Sequence, residues 1–158
     1  MLKENVLKSF NGKRALVTGG TGMIGRQVVD ILSDAGADVA VVSLDRIKVN
    51  DKAKHILGDL TNFDLCQKVT DGMDFVFHIA GIKGNIDVTK SKPSSFFVPI
   101  LMFNTNVLEA CRINNVEKVV YTSSIGAYAG AEVFREDENL EEAPMDMFPG
   151  WAKRMAEM

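Results

Sequence analysis

Short apolar runs alternate with stretches of helical period along this chain. The first run, Arg14-Ala-Leu-Val-Thr18, is bounded by turn residues and predicts a buried strand. From Ile24 the period changes: Ile24, Val28, Val29, Ile31, Leu32 and Ala35 predict a helix, and Gly36 stands where helices commonly end. Further strands are expected over residues 38–44, 55–57, 74–79 and 118–122. A capped helix is expected over 61–70, and a longer one over about 96–114 after a long loop. The start of that long helix, 96–103, is apolar all round, which predicts burial on more than one side. Pro99 belongs in its first turn or makes a kink, and Asn104 and Asn106 need partners if buried. Almost wholly apolar strands that alternate with helices specify an α/β fold, a parallel sheet covered on both faces. With no repeat, low-complexity tract or linker, residues 1–158 read as one domain.

Composition narrows the class without changing that picture. The 158 residues are 46% hydrophobic and 25% charged, values ordinary for a globular domain. A net charge of −3, from 18 basic and 21 acidic side chains, and the lack of a long like-charge block argue against nucleic-acid and membrane-surface partners. No run reaches the ~18 apolar residues of a membrane span, and the first fourteen residues mix charges among the apolar positions, unlike a signal peptide. Cys66 and Cys111 have no second pair, so neither a disulfide framework nor a metal site is expected. Reduced thiols in a cytoplasmic protein are the expectation.

The segment between the first strand and the first helix changes the picture. It reads Thr18-Gly19-Gly20-Thr21-Gly22-Met23-Ile24-Gly25. Glycines at 19, 22 and 25 would serve a tight turn, close approach of a pyrophosphate to the backbone, and packing of helix on strand. The helix start behind them offers free N–H groups and a positive dipole end to phosphates. The strand before and the helix after supply the context that such a motif needs.

With this loop, four further stretches make the chain resemble the extended short-chain dehydrogenase/reductases, the NAD-dependent epimerase/dehydratase family. They are Gly58-Asp59-Leu60-Thr61, His78-Ile-Ala-Gly81, Tyr121-Thr-Ser-Ser-Ile-Gly-Ala-Tyr128 and Gly150-Trp-Ala-Lys-Arg-Met-Ala-Glu157. Within the family, Lys92-Pro-Ser-Ser-Phe and the helix after it look most like the nucleotide-sugar epimerase and GDP-fucose synthase branches. The resemblance implies a Rossmann-like doubly wound sheet of strand order 3-2-1-4-5. It also implies an NAD(P) cofactor, a nucleotide-sugar substrate and hydride transfer at a sugar carbon. Carried over residue by residue, Gly19, Gly22, Met23, Ile24 and Gly25 would hold the pyrophosphate, while Asp59 and Leu60 would meet the adenine. Ile79, Ala80 and Gly81 would line the cofactor toward its nicotinamide half. Ser124 would orient the substrate hydroxyl, and Lys153 would bond the nicotinamide ribose and supply positive charge. The family's long helix often joins a dimer interface, so a homodimer through residues 96–114 stands beside burial within one subunit.

Four departures qualify this. The family's tyrosine, four residues before the lysine, is Pro149 here, and proline cannot shuttle a proton. Tyr128, a water or a substrate group could stand in. Gap-free alignment puts Ser43 where NAD-preferring members carry an acid; Asp45 two residues on could reach the ribose, or Arg46, with Arg26, could meet the 2′-phosphate of NADP. NAD is the expected cofactor, with NADP open. Ile100 stands where many relatives have an asparagine. The chain is about half the family's length and stops at Met158 in mid-helix, so it is expected to be truncated before the C-terminal substrate region. Three functions follow: the cofactor-binding half of an enzyme, a catalytically silent dinucleotide-binding module, or a purely structural domain. A lysine-to-alanine change at 153 separates the first two, since only an enzyme loses activity by it.

Overall fold

The computed structural model describes residues 4–82, 84–135 and 141–158. They form helix α1 (Glu4–Lys8), strand β1 (Arg14–Thr18), α2 (Met23–Asp34), β2 (Asp38–Ser43), β3 (Lys54–Leu57) and α3 (Phe63–Thr70). Then come β4 (Phe75–His78), α4 (Ile86–Ser91), α5 (Ser94–Ile113), β5 (Lys118–Tyr121), a single 3-10 turn (Ile125–Ala127) and α6 (Met147–Glu157). The chain divides into two compact units, Met1–Ala80 with Asn106–Thr122 and Gly81–Thr105 with Ser123–Met158.

The first unit holds a five-stranded parallel sheet in the order β3-β2-β1-β4-β5. β1 lies at its centre, with Thr18 opposite Val42 on one side and His78 on the other. Ala15, Leu16, Val17 and Thr18 are fully buried, because a central parallel strand is covered on both faces and must be apolar throughout. On one face Ala15, Val17, Val39 and Val41 pack with Val29 and Leu32 of α2 and with Ala53. The amphipathic stripe of α2 supplies the helical side of that contact. The helix ends as its sequence suggests: Gly36, at φ 83°, and Ala37 donate their N–H groups back to Ser33 and Leu32, closing a Schellman motif.

α3 begins where Asn62 accepts the Leu65 N–H at 3.1 Å, a side-chain cap. α5 differs from its expected form. Its buried residues, Phe96, Ile100, Phe103, Asn104, Val107, Ala110 and Cys111, follow the spacing of a single stripe. Val98 and Met102 are 47% and 43% exposed, so the helix is not buried all round. By length and composition it could cross a membrane; its buried stripe packs inside the protein. Pro99 lies inside the helix, beyond its first turn, where it withholds the N–H that the Ser95 carbonyl would otherwise receive.

In the second unit the 3-10 turn lies on the start of α6. Asp146 N–H donates to the Gly126 carbonyl at 3.1 Å, Met145 N–H to Tyr128 at 2.6 Å, and Gly150 N–H to the Asp146 carbonyl at 2.7 Å. Gly150 is buried, and a Cβ there would stand 2.9 Å from Pro144 Cβ and 3.1 Å from the Gly126 carbonyl carbon. Pro149 is the third residue of α6, within the first turn that has no intrahelical use for its missing N–H.

Candidate cofactor and catalytic sites

In an open parallel sheet the binding crevice lies beyond the C-terminal strand ends, where strand order reverses. Here that place is the end of β1, between β2 and β4, and the glycine segment begins there. Gly19 takes φ +65°, and a Cβ on it would lie 2.8 Å from Ala80 Cα. Both facts require glycine. A Cβ on Gly25 would lie 2.7 Å from Gly20 Cα, so the third glycine lets α2 seat against the turn. Gly22 is the N-cap of α2 without a side-chain cap. Met23 and Ile24 behind it are 76% and 55% exposed. The amides of Met23, Ile24 and Gly25 open the helix and have no acceptor within it, which suits a phosphate.

Asp45 is drawn to this turn. Thr21 Oγ1 donates to Asp45 Oδ2 at 2.8 Å, and Asp45 Oδ1 accepts the Ile47 N–H at 3.0 Å. Arg26 also holds the turn, donating from Nη2 to the Thr21 carbonyl at 2.9 Å. Arg46 is exposed on the loop beyond. The acid that alignment puts two residues too late is therefore the group fixed beside the glycines, and Ser43 only donates its hydroxyl to the Asp45 carbonyl at 3.0 Å.

Asp59 follows β3. One of its oxygens accepts the Thr61 N–H at 2.9 Å, and the residue is exposed. Leu60 is 7% exposed, and its carbonyl receives the Cys66 thiol at 3.2 Å and Asn106 Nδ2 at 3.1 Å. Asn106 also donates to the Thr61 carbonyl at 2.9 Å. Asn106 thus ties α5 to the Asp59 segment. Burial pushes the two thiols up, to about 11 for Cys66 and about 12 for Cys111, so both are inert packing groups.

The ends of β1 and β4 are joined by one hydroxyl. Thr18 Oγ1 lies 2.7 Å from His78 Nδ1 and accepts the N–H groups of Ile79 and Ala80, each at 3.1 Å. Tyr121 stacks on the His78 ring at 5.7 Å. Ile79 and Ala80 are half-buried and are held facing Gly19 by this clasp.

The second unit carries the other expected residues. Gly81 opens it and is exposed. Ser124 is exposed and caps the 3-10 turn, its Oγ accepting the Gly126 N–H at 3.1 Å. Lys153 is half-buried; burial pushes its ammonium below the usual lysine range, and Glu157 pulls the other way. Beside it Arg154 is 5% exposed. Its guanidinium is clasped by the carbonyls of Ala127 and Glu142 and lies 5.5 Å from the Trp151 ring centre. The half-buried Tyr128 closes the 3-10 turn through its N–H. Among the described residues no cluster of three metal-ligating side chains occurs.

A parallel sheet in this order with a glycine turn at its switch point is a Rossmann-type fold. The comparisons carry this further: the model of the NAD dependent epimerase/dehydratase family matches residues 15–157, and the chain belongs to that family. It is 33% identical over 135 residues to a 3 beta-hydroxysteroid dehydrogenase/Delta 5→4-isomerase of Mycobacterium tuberculosis, covering 80% of this chain and 36% of that protein. It is likewise 33% identical over 135 residues to a UDP-glucose 4-epimerase of Rickettsia bellii, covering 73% of this chain and 37% of that protein. Among solved structures, MoeE5 in complex with UDP-glucose and NAD is 28% identical, with a TM-score of 0.79 over 91% of this chain and 46% of that one. The chain thus spans little more than a third of the curated relatives and about half of the solved one.

Proposed function

We propose that the chain binds NAD and belongs to an enzyme that transfers hydride at a carbon of a nucleotide-sugar, with residues 1–158 serving as its NAD(P)-binding domain. The observation that carries this is the glycine turn, with its free helix amides and with Asp45 anchored to it by Thr21. Gly19, Gly22, Met23, Ile24 and Gly25 hold the pyrophosphate. Asp45 bonds the adenosine ribose; a carboxylate fixed there repels a 2′-phosphate and favours NAD over NADP. Asp59 offers its second oxygen to the adenine amino group, Leu60 braces that segment, and Ile79, Ala80 and Gly81 line the path toward the nicotinamide. Nicotinamide supplies the hydride chemistry when bound. Ser124 orients the substrate hydroxyl, and Lys153 holds the nicotinamide ribose and lends positive charge.

Pro149 favours a second reading, a silent dinucleotide-binding module. Turnover separates the two: with NAD and UDP-galactose or UDP-glucose, the enzyme reading predicts interconversion that Lys153→Ala abolishes. A module shows none and keeps its NAD affinity in both forms. Two free, buried cysteines suit a reducing compartment, which supports a cytoplasmic protein. A homodimer is supported by the exposed Val98 and Met102 on α5. It is also supported by an apolar groove of about 470 Å³ lined by Pro93, Phe97, Met147, Phe148, Trp151 and Met155. Sedimentation equilibrium should give twice the monomer mass, and Met102→Glu with Phe97→Glu should halve it; a monomer at all concentrations contradicts the dimer.

A further inference from the structure

The family's acid–base tyrosine is absent here, and an Asp146 carboxylate oxygen and the Ser124 hydroxyl flank the same point in the structure. Gly126 separates Ser124 from the start of α6. At the point where a Cβ on Gly126 would stand, Ser124 Oγ is 3.4 Å away and Asp146 Oδ2 is 3.5 Å away. Only glycine at 126 leaves that point open, since a Cβ would press to 2.8 Å of Asp146 Cβ. Asp146 is fastened through its backbone on both sides, N–H to Gly126 and carbonyl to Gly150. Its carboxylate sits in the N-cap position of α6, yet makes no capping bond. It is exposed, and among the described residues no hydrogen bond or ion pair engages it.

We infer that Asp146 is the general base of this chain, taking the proton that the family's tyrosine would take. The inference rests on the reading that Ser124 orients the substrate hydroxyl. In the oxidising direction the substrate hydroxyl gives its proton to the Asp146 carboxylate. The hydrogen on the same carbon leaves with its electron pair for the oxidised nicotinamide, and a carbonyl remains. The reverse direction returns both. A carboxylate placed at the substrate hydroxyl can take its proton in the transition state as a general base. That lets Pro149 occupy the helix without loss of the step.

The test is a cycle of variants: wild type, Asp146→Asn, Asp146→Glu, Pro149→Tyr and Asp146→Asn/Pro149→Tyr. Turnover of UDP-galactose is measured at saturating NAD, and NAD affinity by calorimetry. Asp146→Asn should lower kcat by about 10²–10⁴-fold with NAD affinity unchanged, and Asp146→Glu should retain most of the rate. In the Pro149→Tyr background the same Asn change should cost less than about tenfold, because the phenol then carries the proton. Equal losses in both backgrounds mean a structural role and overturn the inference. So does an active Asp146→Asn chain, or turnover seen only with Pro149→Tyr, or in neither background while NAD binds. In the cofactor-free chain, Ser124→Ala should shift the 13C resonance of the Asp146 carboxyl; an unmoved resonance also overturns it. Failure to bind NAD sinks the broader reading instead, and the resonance still decides the juxtaposition.

Discussion

Valine at position 18 would keep the shape of the threonine and remove an oxygen that three groups share. His78 Nδ1 and the Ala80 amide bond Thr18 Oγ1, while the Ile79 amide also reaches the Thr18 carbonyl at 3.3 Å, and a buried polar group left without a partner costs about 1–3 kcal/mol. Thr18→Val should therefore lower the urea midpoint far more than Thr18→Ser, which keeps the hydroxyl; equal midpoints for the two variants would contradict the clasp. Lys153 shows the opposite balance, a group kept at some expense to stability. Burial lowers its proton affinity below the ordinary value of 10.5, so between the lowered and the ordinary value the unfolded chain binds more protons than the folded one. Stability then rises with pH through that window, and the penalty is complete below it. Lys153→Met removes the penalty, so its Tm should exceed that of wild type at pH 7, with the gap closing as pH approaches 10.5. A variant no more stable than wild type at neutral pH would contradict this.

Among the elements, α5 tests how local preference and packing share control. A proline inside a helix costs about 3 kcal/mol relative to alanine, and Pro99 lies half-buried beside the fully packed Ile100. Pro99→Ala should raise unfolding free energy by up to about 3 kcal/mol; a loss would mean that the ring fills space the methyl cannot. The strands were legible because a sheet covered on both faces demands unbroken apolar runs, as in Ala15-Leu16-Val17 and Val39–Val42. α1, α4 and the 3-10 turn were not, because five, six and three residues are too few to show a period. The apolar start of α5 misled for a different reason. Its composition carries no side preference, and only the fold decides that Phe96, Ile100 and Phe103 turn inward while Val98 and Met102 remain exposed.

At the scale of the whole molecule, what was legible in the site is what is contiguous. The glycine turn lies in eight successive residues, and its strand-to-helix setting can be read beside it. The groups that steady the strand ends around it come from far along the chain: Asp45 is 24 residues from Thr21, Asn106, bonded to the Asp59 segment, is 46 from Leu60, and His78 is 60 from Thr18. No local pattern announces such pairs, although Asn106 on an apolar helix and a lone threonine at a strand end were each polar groups in need of partners. That Asp45, two residues past the aligned position, could reach the site was legible; that the loop after β2 brings it to the Thr21 hydroxyl was not. Everything proposed for the site requires that this turn bind a dinucleotide. Calorimetric titration of the 158-residue chain with NAD and with NADP, beside a folded Gly22→Asp variant, tests it most directly. NAD should bind saturably and NADP more weakly, and both should be lost when an aspartate side chain and its charge enter the phosphate turn. No binding of either dinucleotide by the folded wild-type chain, or NAD binding that survives Gly22→Asp, would contradict this.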